Sequence, residues 1–336
     1  MSQNGFLDNS SVLVTGGSGS FGKAFIKHLL KNTKVRRLVV FSRDELKQSE
    51  MQADLAALDS DKRLRYFIGD VRDESRLVMA FRDVDYVVHA AALKQVPAAE
   101  YNPFECIRTN VIGAENVVQA ALRTGVKRVI ALSTDKAANP INLYGASKLA
   151  SDKIFVAANH LSGKDGTDFA VVRYGNVVGS RGSVVPLFQK LIAAGSDHLP
   201  ITDPRMTRFW ITLSMGVDFV CSCLEMMSGG EIFVPKIPSM KMTDLATAMA
   251  PKLEQRVVGI RPGEKLHEVM ISGDDARMTT ELADRYVIEP EFVEYVRTPF
   301  HADGGRPVAD GFSYSSDANS EWLDADGLKA LLAGHG

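Results

Sequence analysis

Short apolar runs alternate, along the first half of the chain, with longer segments in which apolar residues recur at helical spacing. The runs are four or five residues long and rich in Val, Ile, Leu and Phe, which is typical of strands buried on both faces of a sheet. They predict strands at residues 11–15, 37–41, 64–68, 84–88, 129–132 and 169–173. Strands that alternate with helices in this way predict an α/β fold with a Rossmann-like, doubly wound parallel sheet.

After residue 175 the regular alternation is lost, and glycines, arginines and turn residues dominate. One apolar run at residues 231–234 predicts a strand that rejoins the sheet, and a helix is expected near residues 242–250. Residues 300–311 are rich in Gly and Pro and predict a loop, and a short helix near residues 324–332 ends the pattern. We therefore expect a Rossmann domain and a smaller C-terminal lobe. The domain covers residues 1–175 with the two returning elements, and the lobe covers residues 176–230 and 255–336.

Bulk composition narrows the functional class. A chain of 336 residues is long enough for one large domain and a second lobe, and 45% hydrophobic and 24% charged residues are typical of globular proteins. The net charge of −2 favours neither nucleic acid nor a membrane surface as a partner. The three cysteines have no zinc spacing, no metal site is expected, and the polar first ten residues do not resemble a signal peptide. We expect a cytoplasmic protein.

A glycine motif follows the first predicted strand and precedes the first predicted helix. Gly16, Gly19 and Gly22 recur at intervals of three residues. Glycines at such a turn let the backbone approach a pyrophosphate closely, and the N-terminus of the following helix faces the phosphates. The motif predicts a dinucleotide site, and its alternative is a purely structural turn.

The end of the second predicted strand bears on the choice between NAD and NADP. About twenty residues beyond the glycine motif, NAD enzymes usually offer a carboxylate to the ribose. Here the strand ends in Ser42 and Arg43, and Asp44 and Lys47 follow. A hydroxyl and a guanidinium suit a 2′-phosphate, so the pattern favours NADP over the alternative of a solvated loop.

The ends of later strands add candidates for the same crevice. Asp70 either borders an adenine pocket or caps the next helix. Ala90 leaves room for a cofactor, and Lys94 follows close by. His89 has no His or Cys at ligand spacing, so we interpret it as structural.

Residues 133–148 carry the strongest chemical pattern, because they follow a buried strand and open a helix. Tyr144 and Lys148 are four residues apart and share one helix face. A cation beside a phenol favours phenolate, so this pair can supply a general base. Asp135 and Lys136 add an acid and a second potential base. The alternative is an ordinary pair of residues on a surface helix.

Asp135 and Lys136 would face opposite sides of a regular strand. Both can reach one substrate only if the chain leaves strand geometry there, which the turn at Asn139 and Pro140 permits. For Lys136 to act as a base, we expect burial and nearby cations to lower its pKa.

Separated arginines in the second lobe suggest an anionic ligand such as a diphosphate. Arg205 and Arg208 lie near aromatic residues, and Arg261 begins an Arg-Pro-Gly-Glu-Lys segment. Their alternative role is ordinary surface ion pairing.

Six motifs, taken in order, resemble the inverting UDP-N-acetylglucosamine 4,6-dehydratases, a family of the extended short-chain dehydrogenase/reductase superfamily. The resemblance runs from about residue 7 to about residue 287, and a Lys follows the Asp where retaining dehydratases carry Glu. Ser18 replaces a commoner Thr, and residues 304–307 depart from the family pattern, which leaves the C-terminal contacts open. The motifs are Gly-Gly-Ser-Gly-Ser-Phe-Gly-Lys, Ser-Arg-Asp-Glu-Leu-Lys-Gln, Ser-Thr-Asp-Lys-Ala-Ala-Asn-Pro-Ile-Asn-Leu-Tyr-Gly-Ala-Ser-Lys, Arg-Tyr-Gly-Asn-Val-Val-Gly-Ser-Arg-Gly-Ser, Arg-Met-Thr-Arg-Phe-Trp and Arg-Pro-Gly-Glu-Lys-Leu-His-Glu.

The resemblance implies a role for each matched position. Asp135, Lys136 and Tyr144 would be catalytic, and Lys148 would hold the nicotinamide ribose. The implied contacts to NADP are Gly16, Ser18, Gly19, Ser20, Phe21, Gly22, Ser42, Arg43, Asp44, Glu45, Leu46, Lys47, Asp70, Val71, Ala90, Lys94, Tyr144 and Lys148. The implied contacts to UDP-N-acetylglucosamine are Lys94, Asn176, Val184, Val185, Pro186, Leu187, Phe188, Arg208, Arg261 and Glu264.

The implied reaction is a lyase reaction, the first step of pseudaminic acid biosynthesis for flagellin glycosylation. NADP-dependent dehydration, with inversion at carbon 5, would give UDP-2-acetamido-2,6-dideoxy-beta-L-arabino-hex-4-ulose. The family assembles as hexamers built from dimers, so a homo-oligomer is implied. One alternative is a UDP-sugar epimerase or dehydrogenase that uses Tyr144 and Lys148 alone, and another is a non-catalytic NADP-sensing or interaction protein. Asp135 and Lys136 argue against both alternatives.

Overall fold

Apolar strands pair side by side in a central sheet. The computed structural model describes residues 5–163, 166–180, 182–293, 295 and 297–333. The strands are β1 (Ser11–Thr15), β2 (Arg37–Ser42), β3 (Leu64–Ile68), β4 (Tyr86–His89), β5 (Arg128–Thr134), β6 (Asp168–Tyr174), β7 (Asn176–Val177), β8 (His198–Ile201), β9 (Thr207–Ile211), β10 (Ile232–Pro235), β11 (Ser239–Lys241), β12 (Glu254–Val257), β13 (Val269–Ile271), β14 (Thr279–Glu281), β15 (Arg285–Ile288), β16 (Arg306–Pro307) and β17 (Tyr314–Ser315).

Helices connect these strands and cover the faces of the sheet. They are α1 (Ser20–Asn32), α2 (Glu45–Leu55), α3 (Glu74–Ala80), α4 (Val96–Tyr101), α5 (Pro103–Ile107), α6 (Gly113–Thr124), α7 (Leu143–Ser162), α8 (Val184–Ala193), α9 (Leu213–Met226), α10 (Met242–Met249) and α11 (Ala325–Ala333). A π-helical turn, Arg108–Ile112, joins α5 to α6, and short 3-10 helices cover Gly5–Leu7, Asp135–Ala137, Asp275–Met278 and Phe300–Asp303. No helix among the described residues is both long enough and apolar enough to cross a membrane.

The main sheet has the doubly wound order that the apolar runs predict. Its strand order is β3-β2-β1-β4-β5-β6-β10-β15-β14-β16. The first seven strands in this order, from β3 at the edge to β10, pair in parallel. The direction of winding reverses between β1 and β4. Ligands of such sheets bind beyond the carboxyl ends of the strands at this reversal. The predicted fold class is therefore confirmed, including the strand that rejoins the sheet as β10.

Three antiparallel strands extend the sheet beyond β10, and the sequence pattern did not indicate them. β15 pairs with β10, β14 with β15, and β16 with β14. These strands are two to four residues long, too short to show a reliable alternation of apolar and polar residues. The prediction that residues 300–311 form a loop is wrong in part, since this segment contains β16 and a 3-10 helix.

A second, smaller core lies outside the main sheet. Trp210, Phe188 and Met240 pack there with residues of α8, α10 and β8. Helix α10, which we expected to accompany the Rossmann domain, contributes Met242, Leu245 and Ala246 to this second core. β13 pairs antiparallel with β17, and their buried residues Met270, Ile271 and Tyr314 belong to the main core. The domain division itself stays a prediction.

Candidate active site

A cleft of about 690 Å³ runs along the carboxyl ends of β1, β2, β4, β5 and β6. Its walls come from the glycine turn after β1, the end of β2, the loop after β4 and the segment that joins β5 to α7. Because these elements follow neighbouring parallel strands, residues that are distant in the sequence meet at one edge of the sheet.

The glycine turn forms one end of the cleft and leaves no room for side chains. Gly16 has a φ of +65°, a conformation that glycine adopts without strain. A Cβ at Gly22 would lie 2.4 Å from the carbonyl oxygen of Gly17, so α1 packs directly on the turn. Gly19 is the N-cap of α1 and makes no side-chain cap, which leaves the first N–H groups of the helix available to an anion.

Polar side chains surround the end of β2. The hydroxyl of Ser42 accepts hydrogen bonds from Ser18 Oγ and Gln48 Nε2, both at 2.9 Å, and so keeps its own proton to donate into the cleft. Arg43 is half-exposed and lies 3.5 Å from a carboxylate oxygen of Asp70. Asp44 caps α2 through the N–H of Lys47 and pairs with the Lys47 ammonium at 2.5 Å.

Most of the predicted cofactor residues line this one cleft. Among them, Lys94 has no ion-pair partner within the described part of the chain, so its ammonium is available to a ligand. Glu45 and Leu46 instead lie on the exposed first turn of α2 and do not line the cleft. Those that line it are Gly16, Ser18, Gly19, Ser20, Phe21, Gly22, Ser42, Arg43, Asp44, Lys47, Asp70, Val71, Ala90, Lys94, Tyr144 and Lys148.

The chain leaves strand geometry directly after β5, which is the condition under which Asp135 and Lys136 can share one side. β5 ends at Thr134, whose hydroxyl caps the 3-10 helix Asp135–Ala137. This turn brings Asp135 and Lys136 to the same side, with Lys136 Nζ 3.0 Å from Asp135 Oδ1. Lys136 lines the cleft, whereas Asp135 is fully buried behind it and contacts the hydroxyl of Thr134 at 2.9 Å.

Helix α7 begins against this turn. Asn142 caps the helix by accepting a hydrogen bond from the N–H of Gly145. A Cβ at Gly145 would lie 2.2 Å from the carbonyl oxygen of Lys136, so only glycine lets α7 approach the 3-10 helix this closely. Tyr144 and Lys148 are buried in the first two turns of α7, and both line the cleft. The predicted Tyr–Lys pair is therefore adjacent to Asp135 and Lys136.

Lys136 has a second carboxylate partner that the sequence reasoning did not identify. Glu268 lies just before β13, is 1% exposed, and places Oε1 3.0 Å from Lys136 Nζ. Arg208 Nε lies 3.6 Å from the same oxygen. Glu268 ends the Arg-Pro-Gly-Glu-Lys-Leu-His-Glu motif, but only the fold brings that motif beside β5.

The charges in this cluster decide which groups hold protons. Burial acts to lower the pKa of Lys136, but Asp135 and Glu268 outweigh it and raise the pKa well above its ordinary value. The expectation that nearby cations lower this pKa is wrong, because two carboxylates lie beside the ammonium. Burial and, to a smaller extent, Glu268 raise the pKa of Asp135. Burial also acts to raise the pKa of Glu268, but Lys136 and Arg208 lower it overall.

The Tyr144–Lys148 pair is also governed by burial. Burial raises the pKa of Tyr144 to about 12, although Lys136 and a hydrogen bond with Thr134 act in the opposite direction. Burial lowers the pKa of Lys148, against the attraction of Asp152 one turn further along α7. In this resting site the phenol is protonated at neutral pH.

The predicted sugar-nucleotide residues do not all meet in the cleft. Lys94 and Asn176 line it, but the residues of α8 do not, and Val185 and Phe188 are buried in the second core. Arg208 donates to the backbone carbonyls of Thr207, Lys265 and Leu266. Arg261 is exposed and lies 3.3 Å from Glu264 at the surface. Val184, Pro186 and Leu187 complete the α8 segment outside the cleft.

Other polar groups have structural partners. His89 is buried in β4, with Nδ1 2.8 Å from the Thr15 hydroxyl, and burial lowers its pKa to about 3. Within the described residues, no cluster of His, Cys, Asp and Glu has a geometry that could hold a metal ion. The cysteines Cys106, Cys221 and Cys223 are buried and free.

Comparison with known proteins agrees with this geometry. The family model described as "Polysaccharide biosynthesis protein" matches residues 12–290. A Campylobacter jejuni protein named UDP-N-acetylglucosamine 4,6-dehydratase (inverting) is 59% identical, over 97% of this chain and 98% of its own length. A Rickettsia bellii protein named UDP-glucose 4-epimerase is 40% identical, over 97% of this chain and 96% of its own length.

A similar solved structure supports the assignment of the fold. It is the dTDP-glucose 4,6-dehydratase DesIV from Streptomyces venezuelae, with NAD and TYD bound. It is 26% identical, covers 76% of this chain and 86% of its own length, and has a TM-score of 0.68. The similarity therefore extends over the greater part of the chain.

Proposed function

The chain belongs to the polysaccharide biosynthesis protein family and has the extended short-chain dehydrogenase/reductase fold, and we propose that it is an inverting UDP-N-acetylglucosamine 4,6-dehydratase. The observation that carries this proposal is the meeting of two chemical groups in one cleft. Tyr144 and Lys148 suit oxidation at a sugar hydroxyl, and the Asp135–Lys136 pair supplies the acid–base chemistry that water loss requires.

The proposed cofactor is NADP. The side-chain-free turn at Gly16 and Gly22 and the available N–H groups of α1 fit a pyrophosphate. The Ser42 hydroxyl and the Arg43 guanidinium at the end of β2 suit a 2′-phosphate, and the nearby Asp44 carboxylate is already engaged by Lys47. Bound there, a nicotinamide dinucleotide supplies reversible hydride transfer, so the net dehydration needs no external oxidant.

Tyr144 is the proposed proton acceptor for the hydroxyl on carbon 4 of the sugar. Its phenol lies beside the Lys136 ammonium and the Thr134 hydroxyl, both of which favour the phenolate. Lys148 is buried one turn further along α7 and is the proposed contact to the nicotinamide ribose. Oxidation at carbon 4 creates a ketone, which acidifies the hydrogen on carbon 5.

The Asp135–Lys136 pair is proposed to manage the protons at carbons 5 and 6. Lys136 lines the cleft and is the group that can exchange a proton with the sugar directly. Asp135 is buried behind it, and its Oδ1 accepts hydrogen bonds from the Lys136 ammonium and the Thr134 hydroxyl. Asp135 can therefore pass a proton to Lys136 once the ammonium has released one of its own. Lys136 gives its ammonium proton to the departing hydroxyl of carbon 6, which leaves as water, and the amine formed accepts the proton of carbon 5. Reprotonation of carbon 5 from the opposite face inverts it, and release of the proton that Tyr144 took from the carbon-4 hydroxyl balances this uptake.

The binding of the sugar nucleotide and the larger organisation are proposed by resemblance. Lys94 and Asn176, which line the cleft, are the proposed inner contacts, and Arg208, Arg261 and Glu264 are proposed for the UDP group, with residues 184–188 of α8. Residues 1–175 would bind NADP, and the later segments would bind the nucleotide sugar. A cytoplasmic homo-oligomer, a hexamer built from dimers, is the proposed assembly, and the product would enter pseudaminic acid biosynthesis.

A UDP-sugar epimerase is the second candidate, because the Rickettsia bellii relative carries that name and Tyr144 with Lys148 would suffice for it. An epimerase needs no acid for water loss, so the buried Asp135–Lys136–Glu268 cluster would have no use. This cluster favours the dehydratase.

Mass spectrometry after incubation with UDP-N-acetylglucosamine tests the proposal. Loss of one water from the sugar nucleotide is the expected result, with solvent deuterium incorporated at carbon 5. An unchanged mass with altered stereochemistry would identify an epimerase. The absence of turnover by the cofactor-loaded protein would favour a binding function and contradict the proposal.

A further inference from the structure

Glu268 is a buried carboxylate for which neither the sequence patterns nor the comparisons suggest a role. Its Oε1 lies 3.0 Å from Lys136 Nζ and 3.6 Å from Arg208 Nε. Its backbone N–H donates to the Ser316 hydroxyl at 2.9 Å, which fixes the residue at the start of β13. A carboxylate so enclosed costs free energy unless it is ionised and paired, or else protonated.

The two carboxylates beside Lys136 differ in their surroundings. Asp135 is next to one cation, Lys136, and Glu268 lies between two, Lys136 and Arg208. Both are almost completely shielded from water, so nearby cations decide which of them carries the negative charge. This arrangement favours the charge on Glu268 and the proton on Asp135.

We infer that Glu268 is a positioning residue that serves as the counter-ion of Lys136 and thereby leaves Asp135 protonated in the resting site. The inference rests on the proposed function, since it explains how the dehydratase would keep both an ammonium and a carboxylic acid at its sugar end. Glu268 does not line the cleft, so it acts through its neighbours rather than on the substrate.

The directions of the pKa shifts agree with this assignment. Glu268 raises the pKa of both Asp135 and Lys136, and its own pKa is held below the ordinary value by Lys136 and Arg208, despite its burial. Tyr144 and Lys265 are the other titratable groups that face this cluster. Lys265 lies near Glu268 and favours the charged carboxylate, which strengthens the same distribution.

Removal of the charge on Glu268 therefore has a defined consequence. In Glu268→Gln, Asp135 is the remaining carboxylate beside the ammonium, so it should ionise, and the cluster should lose one proton. The pKa of Asp135 falls, because its negative neighbour is removed, whereas Lys136 keeps one negative partner, which is then Asp135. Activity that needs protonated Asp135 should then be lost at a lower pH than in the wild type.

Infrared spectroscopy of the purified, cofactor-loaded enzyme can count this proton without substrate. The wild type should show a carboxylic-acid C=O band at neutral pH that is absent from Asp135→Asn. Glu268→Gln should lack the same band. The matched control is Glu281→Gln, which removes a Glu–Lys pair of 2.7 Å on β14, away from the cleft, and should keep it.

The pH dependence of kcat gives the second measurement. In Glu268→Gln, the alkaline limb should move to lower pH by about one to three units, with KM unchanged. Glu268→Asp keeps the negative charge but moves it away from Lys136 by the length of one methylene group. Its alkaline limb should shift in the same direction by less, and this variant takes the place of Glu268→Gln if that one does not fold. A folded variant that keeps both the wild-type infrared band and the wild-type alkaline limb overturns the inference. A wild-type enzyme that removes no water overturns the proposed function instead, because the infrared result does not depend on turnover.

Discussion

The two ends of the cleft differ in what forms their surface, which is the backbone at one end and charged side chains at the other. At the end proposed to bind the cofactor, here called the cofactor end, Gly16 and Gly22 exclude side chains so that the backbone itself forms the surface. At the end proposed to bind the sugar, here called the charged end, charged side chains are packed together, and Lys136 lies between Asp135 and Glu268. The first end depends on shape and the second on the balance of charges, so different substitutions should damage them. A methyl group should be harmful at the glycine turn of the first end, and a change of charge should have its largest effect at the second.

The largest effect is expected at the charged end, from Lys136→Ala. Positioned acid–base catalysis contributes about 10²- to 10⁴-fold, and kcat should fall by an amount of that order. Because Tyr144 and Lys148 are retained, carbon 4 should still be oxidised, but more slowly, since the ammonium that favours the Tyr144 phenolate is lost. The enzyme should then stall with a reduced nicotinamide, visible by absorbance in a single turnover, and should no longer exchange the hydrogen on carbon 5 with solvent.

Lys136→Arg separates proton transfer from mere charge pairing. An arginine keeps the positive charge between the two carboxylates, but it cannot give up a proton near neutral pH. We expect this variant to remain folded and to lose water elimination nearly as completely as the Ala variant. A variant with close to wild-type activity would mean that Lys136 only pairs with Asp135 and Glu268.

A methyl group should be damaging at the cofactor end, and Gly22→Ala tests this. The added Cβ would approach the Gly17 carbonyl oxygen to 2.4 Å, so the turn or α1 must shift. Overpacking of this kind costs about 1–3 kcal/mol of stability. Because the strain is relieved by moving the turn away from the geometry that fits a pyrophosphate, we expect a loss of cofactor affinity of similar size, about fivefold to 150-fold. Titration with NADP would measure it. The control is Gly216→Ala in α9, where the nearest atom lies 4.0 Å away and binding should not change.

The fold, and the meeting of the predicted segments in one cleft, were predictable because their signals are local. The glycine turn, the end of β2 and the Tyr144–Lys148 pair each lie within one short segment, and alternation of strands and helices brings those segments to one edge. The sequence also set a condition at Asp135, because Asp135 and Lys136 can share one side only if the chain leaves strand geometry there, and the 3-10 helix Asp135–Ala137 meets that condition.

Glu268 and the pKa of Lys136 could not be predicted from local patterns. Glu268 comes from the far end of the chain, and it reaches Lys136 only because β13 passes beside the 3-10 helix. The short strands β14, β15 and β16 each pair antiparallel with a neighbouring strand, and they likewise form only because the fold brings these segments together. A sequence can show that a lysine is present, but the sign of its pKa shift depends on which charges the fold places next to it.

Arg43→Asp tests the choice between the two dinucleotides at the end of β2. The guanidinium is half-exposed, so its hydrogen bonds to a 2′-phosphate should contribute modestly. We expect NADP affinity to fall by about tenfold and the relative affinity for NAD to rise. Arg36→Asp, the same change of charge at the opposite end of β2, should leave the preference unaltered. A wild-type enzyme that prefers NAD, or that releases one NADPH per sugar, would contradict the assignment.

The smallest effect is expected at the protein surface, from Arg261→Ala, a residue proposed to contact the UDP group. Arg261 is two-thirds exposed and paired with Glu264 at 3.3 Å, so water screens any contact it makes to a diphosphate. If it binds the UDP group equally in the ground and transition states, KM should rise by about threefold to fivefold while kcat stays constant. Arg256→Ala, which removes a similar exposed pair with Glu254 on β12, should change neither constant. A large loss of kcat in Arg261→Ala would contradict this binding role. It would mean that Arg261, although exposed, takes part in the chemical step together with the buried residues Asp135, Lys136 and Glu268.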